Sequence, residues 1–270
     1  MKLLLALIVL LLPPLGASSA QAQKGAKSKE AAPVAKSKEP AAVGKSKAAS
    51  GEARTVVTID PGHPSEVASG ANEQNGTNEA HVAWTVALRL KELLEARGYE
   101  VVLTKSAEGE LVRNKDRALV ANRAGAALMI RLHCDASVEH GFAVYYPDRQ
   151  GTAKDGTVGP SPRVVEESRR AAEAVHAGMS ETLAGALGDN GVRTDYQTKV
   201  GREQGGALTG SIFSEVPVVT VEMVVLSDPF DADFIKAEAG QQKMAEAIAA
   251  GVEKFVAPDA PARSPRGKKF

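Results

Sequence analysis

Two histidines and two glutamates stand in four separate motifs: His63 after VVTIDPG, Glu79 in GTNEAH, His133 in LMIRLHCDAS and Glu222 in VPVVTVEMV. Two imidazoles and one carboxylate can hold Zn²⁺, one ion per chain, and leave a coordination position open for water. The remaining glutamate is then available to take that water's proton, so the set implies metal-assisted hydrolysis. Each residue alone has a plainer reading. A histidine after a strand is commonly a hydrogen-bonded structural residue, and an acidic side chain in a helix's first turn suits the macrodipole. Glu222 resists such a reading, because a carboxylate closing the apolar run Val216 to Val221 is costly to bury unless it is paired or metal-bound.

Elements with two periodicities must position these groups. Val56 to Asp60 is a β-branched run ending in Pro-Gly and reads as a buried strand with its turn. A helix follows, with Val82, Val86, Leu90, Leu93 and Leu94 on one face and Gly98 just past its end. Further strands are expected over 99–104, 127–132, 142–146 and 216–222, and further helices over 114–124, 164–187 and 231–256. Strands alternating with helices predict an α/β fold: a single domain whose largely parallel twisted sheet is flanked by helices. Ligand sites in such sheets collect beyond the carboxyl ends of the strands. There His63 follows the first strand, His133 and Glu222 end theirs, and Glu79 opens the first long helix.

The other candidates fit less well. Glu79 and His81 are two apart and lie on different helix faces. His176 lies inside a long helix without a metal-ligating partner at i+4, so both histidines read as structural or surface residues. His140 precedes Gly141 in a polar turn and could touch substrate. Cys134 should point away from its neighbour His133 and read as a buried thiol. Asp60 is expected to accept a hydrogen bond from a ligating imidazole, as such sites usually need.

The ends of the chain differ from its body. Met1-Lys2, the apolar run Leu3 to Leu12 and Ala20-Gln21-Ala22 read as a secretory signal peptide over 1–22, since about 20 apolar residues would be needed to span a bilayer. Residues 23–53 are rich in Lys, Ala, Ser, Pro and Gly, with a nine-residue period placing Lys27, Lys36 and Lys45 in register. That composition predicts a disordered linker. A basic tail is expected over 257–270, which leaves 54–256 as the catalytic domain. The formal net charge of +0 hides basic arms, +4 in the linker and +3 in the tail, on a body of −8. Such arms suit anionic envelope polymers more than nucleic acid, although they could simply keep a linker soluble. With one cysteine no intramolecular disulfide can form. The basic linker offers no coiled-coil pattern, so a monomer is expected.

Taken in order, IDPGH ending at His63, Gly76 to Glu79, GYEVVLTK, DRALVAN, RLHCDAS, GFAVYY and PVVTVE ending at Glu222 resemble the zinc-dependent N-acetylmuramoyl-L-alanine amidases of the Amidase_3 type. The resemblance covers residues 55 to 256. It implies that His63, Glu79 and His133 are the zinc ligands and Glu222 the catalytic glutamate. It further implies an exported peptidoglycan hydrolase, periplasmic or in the cell wall, that cuts between N-acetylmuramic acid and L-alanine of the stem peptide. Some members carry an inserted helix over the zinc; here Pro147 to Pro162 is too short for it, and an uncovered site is expected. A peptidoglycan-binding protein without catalysis and a zinc peptidase acting within the stem peptide are the competing readings.

Overall fold

The computed structural model describes residues 54–257, so the signal peptide, the linker and nearly all of the basic tail lie outside the described residues. In chain order the elements are β1 (Val56–Pro61), α1 (Glu79–Ala96), β2 (Glu100–Leu103), α2 (Asn114–Ala124), β3 (Leu128–Asp135), β4 (Phe142–Tyr146), β5 (Gly151–Thr152), β6 (Val158–Gly159) and α3 (Pro162–Leu183). They continue with β7 (Asp189–Thr194), α4 (Lys199–Glu203), α5 (Thr209–Ile212), β8 (Val218–Val225), α6 (Pro229–Lys236) and α7 (Glu238–Phe255). Six strands form one sheet in the order β2-β1-β3-β8-β4-β7, and β5 and β6 make a separate antiparallel hairpin. Neighbours β2, β1, β3 and β8 run parallel; β4 reverses against β8 and then pairs in parallel with β7.

Strand periodicity sorts the side chains between two unlike faces. On one face Val57, Ile59, Leu128, Ile130, Leu132, Val219 and Val221 pack against Val82, Val86 and Leu90 of α1, Val175 and Met179 of α3, and Met244 and Ile248 of α7. Each fully buried aliphatic side chain there contributes about 1.5–3 kcal/mol, so this face carries most of the stability. The other face has only a small apolar patch of Val56, Ala121, Met129 and Val218. The polar side chains Thr58, Asp60, Arg131 and Thr220 are buried beside it. Alternation in VVTID and in LMIRLH puts those polar residues there, and it is the side on which His133 and Glu222 also stand.

The expected α/β fold with a largely parallel sheet is the observed one, with three local differences. The closing helix is two helices, α6 and α7, separated by the extended Ala237. Gly240 in the first turn of α7 permits that break, since a Cβ there would strike the Phe234 carbonyl of α6; α6 is docked by its fully buried Asp231, which accepts hydrogen bonds from the Gly141 and Val225 amides at 2.5 and 2.9 Å. The sixth strand, β7, has the sequence DNGVRT, is only half-buried and lacks the apolar run that would have announced it. Finally, β3 and β8 each run on beyond the expected ends, so His133 and Glu222 sit inside strands and pair directly with each other.

Candidate active site

His63 is delivered by the turn that ends β1. Its backbone takes the left-handed conformation (φ 52°), unusual for a residue with a side chain and a form of strain that clusters at functional sites. Cations hold this turn from beneath. The Arg117 guanidinium donates to the carbonyls of Pro61 and Pro64 at 2.6 and 2.8 Å, and the Lys105 ammonium donates to the carbonyl of His63 itself. Burial, and after it the charge of Arg117, pull the Lys105 pKa down to about 8.

Asp60 anchors this arrangement and does not do what the sequence suggested. It contacts no imidazole. It is fully buried and accepts from Thr104 and Arg117 on one oxygen, at 2.5 and 2.6 Å, and from Arg131 on the other at 3.0 Å. Burial opposes its charge, but the two guanidiniums outweigh burial and hold its carboxyl well below the usual range. The acceptor that orients His63 is instead the backbone carbonyl of Ala68, 3.1 Å from Nδ1. A backbone oxygen leaves no trace in the residue types, so sequence reasoning could not have named it. The buried Arg117 lay in the DRALVAN segment, where its charge at a core position was the available signal.

Glu79 reaches the same place from the first turn of α1, which begins there because the Asn78 side chain caps the helix, accepting from the His81 amide at 3.0 Å. One Glu79 oxygen lies 3.1 Å from His63 Nε2 and the other 2.8 Å from His133 Nδ1. The Cys134 amide adds a third bond at 3.2 Å. The two imidazole rings meet edge to face with centroids 5.2 Å apart. Two glycines make room for them: a Cβ on Gly62 would lie 2.7 Å from His133 Cε1, and one on Gly70 would strike the Cβ of His63.

The donor atoms of His63, Glu79 and His133 all fall within 4.8 Å of one another. The three side chains are 13%, 19% and 17% exposed, enough for a substrate to reach them from one side. Burial resists ionisation of Glu79, yet its bonds to both histidines keep its carboxyl far below the ordinary range. Burial also disfavours the charged form of His63, but Glu79 more than compensates and raises its pKa. On His133 desolvation wins, and the pKa falls.

Glu222 stands beside this triad on the strand next to His133. Its Oε2 is buried without a hydrogen-bond partner, as is His133 Nε2. Burial raises the Glu222 pKa well above the ordinary value, and repulsion from Glu79 and Asp135 adds to it. A buried carboxyl with an oxygen unpartnered among the described residues is unusual and calls for an explanation.

The Amidase_3 family profile, described as N-acetylmuramoyl-L-alanine amidase, matches residues 57–254. The chain belongs to this amidase family. Among its relatives, Rv3717 of Mycobacterium tuberculosis, an N-acetylmuramoyl-L-alanine amidase, is 28% identical over 236 residues, which cover 78% of this chain and 90% of that protein. The amidase AmiC of Neisseria meningitidis is 26% identical over 229 residues, 75% of this chain but only 53% of that longer protein. Among solved structures, the amidase AmiC2 of Nostoc punctiforme superposes with a TM-score of 0.60 at 25% identity, covering 77% of this chain and 98% of that one. Ami1 of Mycobacterium smegmatis shares the fold, with a TM-score of 0.60 at 21% identity over 76% of this chain.

The remaining residues singled out from sequence fall away from the amidase centre. His81 pairs with Glu108 at 3.3 Å on the surface, and His176 binds Asp189 at 2.7 Å, tying α3 to the start of β7. Cys134 is buried in the apolar core, as expected of a thiol facing away from His133. His140 lies in an open cavity of about 330 Å³ lined also by Leu187, Asp228 and Phe230, apart from the His-Glu-His cluster.

Proposed function

We propose that this amidase-family chain hydrolyses the amide between the lactyl group of N-acetylmuramic acid and L-alanine of the stem peptide, with His63, Glu79 and His133 as ligands of one Zn²⁺ and Glu222 as the catalytic acid/base. The observation that carries this reading is the juxtaposition of the three converging donors with the unpartnered, buried Glu222 oxygen on the adjoining strand.

The donors fit a zinc ion on chemical grounds. His63 faces acceptors with both ring nitrogens, the Ala68 carbonyl at Nδ1 and Glu79 at Nε2, so with Nδ1 donating to the carbonyl, Nε2 is the nitrogen that can exchange a proton for a cation. A divalent cation replaces such protons, with neutral imidazoles and an ionised carboxylate as its ligands. Bound there, zinc supplies Lewis acidity toward water and toward the amide carbonyl.

The chain's own groups then act as follows. The Ala68 carbonyl keeps the Nδ1 proton on His63 and aims Nε2 at the centre. Glu79 carries the negative charge that makes the cluster attractive to a cation. Glu222 accepts a proton from the attacking water and hands it to the leaving amine, and its raised pKa suits it to hold that proton between the two transfers. The apolar N-terminal run and the basic arms support delivery of the enzyme to the cell envelope. Among the described residues no helix is long and apolar enough to cross a membrane.

Mass analysis of digested peptidoglycan tests the reading. Free stem peptides with intact glycan are expected. Shortened peptides would indicate a stem-peptide peptidase, and no products a binding protein. Glu222→Gln should retain the metal and lose about 10²–10⁴-fold in kcat, the usual share of general acid–base catalysis. A fully active glutamine variant would remove Glu222 from the mechanism.

A further inference from the structure

The sheet face that carries His133 and Glu222 continues across two more strands, and a second functional group stands on its far side. Ala143 of β4 pairs with Glu222, and Tyr145 pairs with Thr220. Across the other edge of β4, Tyr145 pairs with Arg193 of β7. Directly paired residues share a face, as do residues two apart on one strand, so Glu222, Ala143, Tyr145 and Arg193 all stand on the same side. Only the small Ala143 lies between Glu222 and β7.

The Arg193 guanidinium has one partner that is itself largely open to solvent. Its Nε donates to the Asn190 carbonyl at 3.2 Å and its Nη1 to Tyr145 Oη at 3.3 Å. Nη1 also pairs with Glu139 at 2.7 Å. Glu139 is 42% exposed and Arg193 24%, and an ion pair this open contributes little and is readily exchanged. The other cation on this face, Arg131, is buried and engaged by Asp60 and Asn114. A carboxylate of a substrate bound along this face is therefore drawn to Arg193, the more exposed of the two cations.

We propose that Arg193 is a specificity residue for the amidase reaction: its guanidinium receives the free α-carboxylate of the second residue of the stem peptide, which takes the place of Glu139. The span fits. Two strand spacings and a two-residue offset separate the backbones of Glu222 and Arg193 by about 12 Å. A peptide advances about 3.3–3.6 Å per residue, so the second residue past the scissile amide lies about 7 Å along, and the extended arginine covers the rest. A charge-assisted hydrogen bond to a carboxylate is a task for which a partly exposed guanidinium is suited.

This proposal rests on the amidase reading, and the test separates the two. The zinc-loaded full chain is given disaccharide-tripeptide muropeptides that differ only in whether the second stem residue carries an α-carboxylate or a carboxamide. The wild type should show a KM about 10- to 100-fold lower for the acid, the worth of one hydrogen bond to a charged group. Arg193→Gln should collapse that ratio towards one, and Arg193→Lys should restore part of it. Glu139→Gln removes the competing carboxylate and should lower KM for the acid. Equal KM values for acid and amide in the wild type would overturn the proposal, as would an Arg193→Gln that loses both substrates alike or a Glu139→Gln that raises KM as Arg193→Gln does. If the wild type releases no stem peptide from either muropeptide or from intact peptidoglycan, the amidase reading itself fails, and the role of Arg193 with it.

Discussion

Replacing Gly62 by alanine probes whether the His63-Glu79-His133 geometry sets the rate. Gly62 does not occupy the left-handed region, so the new methyl group acts through contact and not through backbone strain. Its Cβ would lie 2.7 Å from His133 Cε1, 2.8 Å from Nδ1 and 2.7 Å from the Leu132 carbonyl. An ordinary contact begins near 3.4 Å, so something must retreat by about 0.7 Å. The Leu132 carbonyl cannot, because it accepts from the Gly62 amide at 2.9 Å within a strand held on both sides. The turn carrying Gly62 must therefore shift away from that carbonyl and the imidazole must give as well, and the 2.8 Å bond from His133 to Glu79 is the first casualty. Overpacking of this kind costs about 1–3 kcal/mol. At about 2–4 °C per kcal/mol for a domain of this size, Tm should fall by about 2–12 °C. Misplacement of a reacting group by ~1 Å costs up to about 10²-fold in rate. Release of stem peptides from purified peptidoglycan, a thermal melt and zinc content by mass spectrometry read the three effects. An alanine variant with full zinc and kcat/KM within about two-fold of wild type would refute the argument that this close approach positions His133.

Asp60→Asn leaves two buried guanidiniums without their carboxylate and should destabilise the fold by about 3–5 kcal/mol, seen as a lower denaturation midpoint. Because its folded pKa lies below the unfolded value, the stability Asp60 contributes is complete above the ordinary carboxylate range and is lost as pH falls through the depressed value. The variant's stability should therefore fall less steeply on acidification than the wild type's, and parallel curves would remove Asp60 as the anchor. Treatment with a chelator should abolish hydrolysis and added Zn²⁺ restore it; activity indifferent to both would sink the metal assignment. Cys134 is 7% exposed in the core, so Ellman's reagent should leave it untouched in the native protein and react with one thiol on unfolding.

The His63-Glu79-His133 cluster, and the kind of fold that gathers it, were legible in the sequence. Alternation in VVTID and LMIRLH fixes which side chains leave the apolar face, and helical spacing from Val82 to Leu94 fixes where α1 begins and hence where Glu79 projects. These are local properties, carried by side-chain type and spacing alone. What orients the centre was not legible, because it depends on contacts between residues far apart in the chain and on backbone atoms that every residue has. The Ala68 carbonyl on His63, the Arg117 clamp on the turn, the diversion of Asp60 to two arginines and the direct pairing of His133 with Glu222 all arise only when β1, β3 and β8 lie side by side. The same holds for β7, whose polar sequence becomes a strand because β4 offers it an edge, and for Arg193, which shares a face with Glu222 only through that pairing.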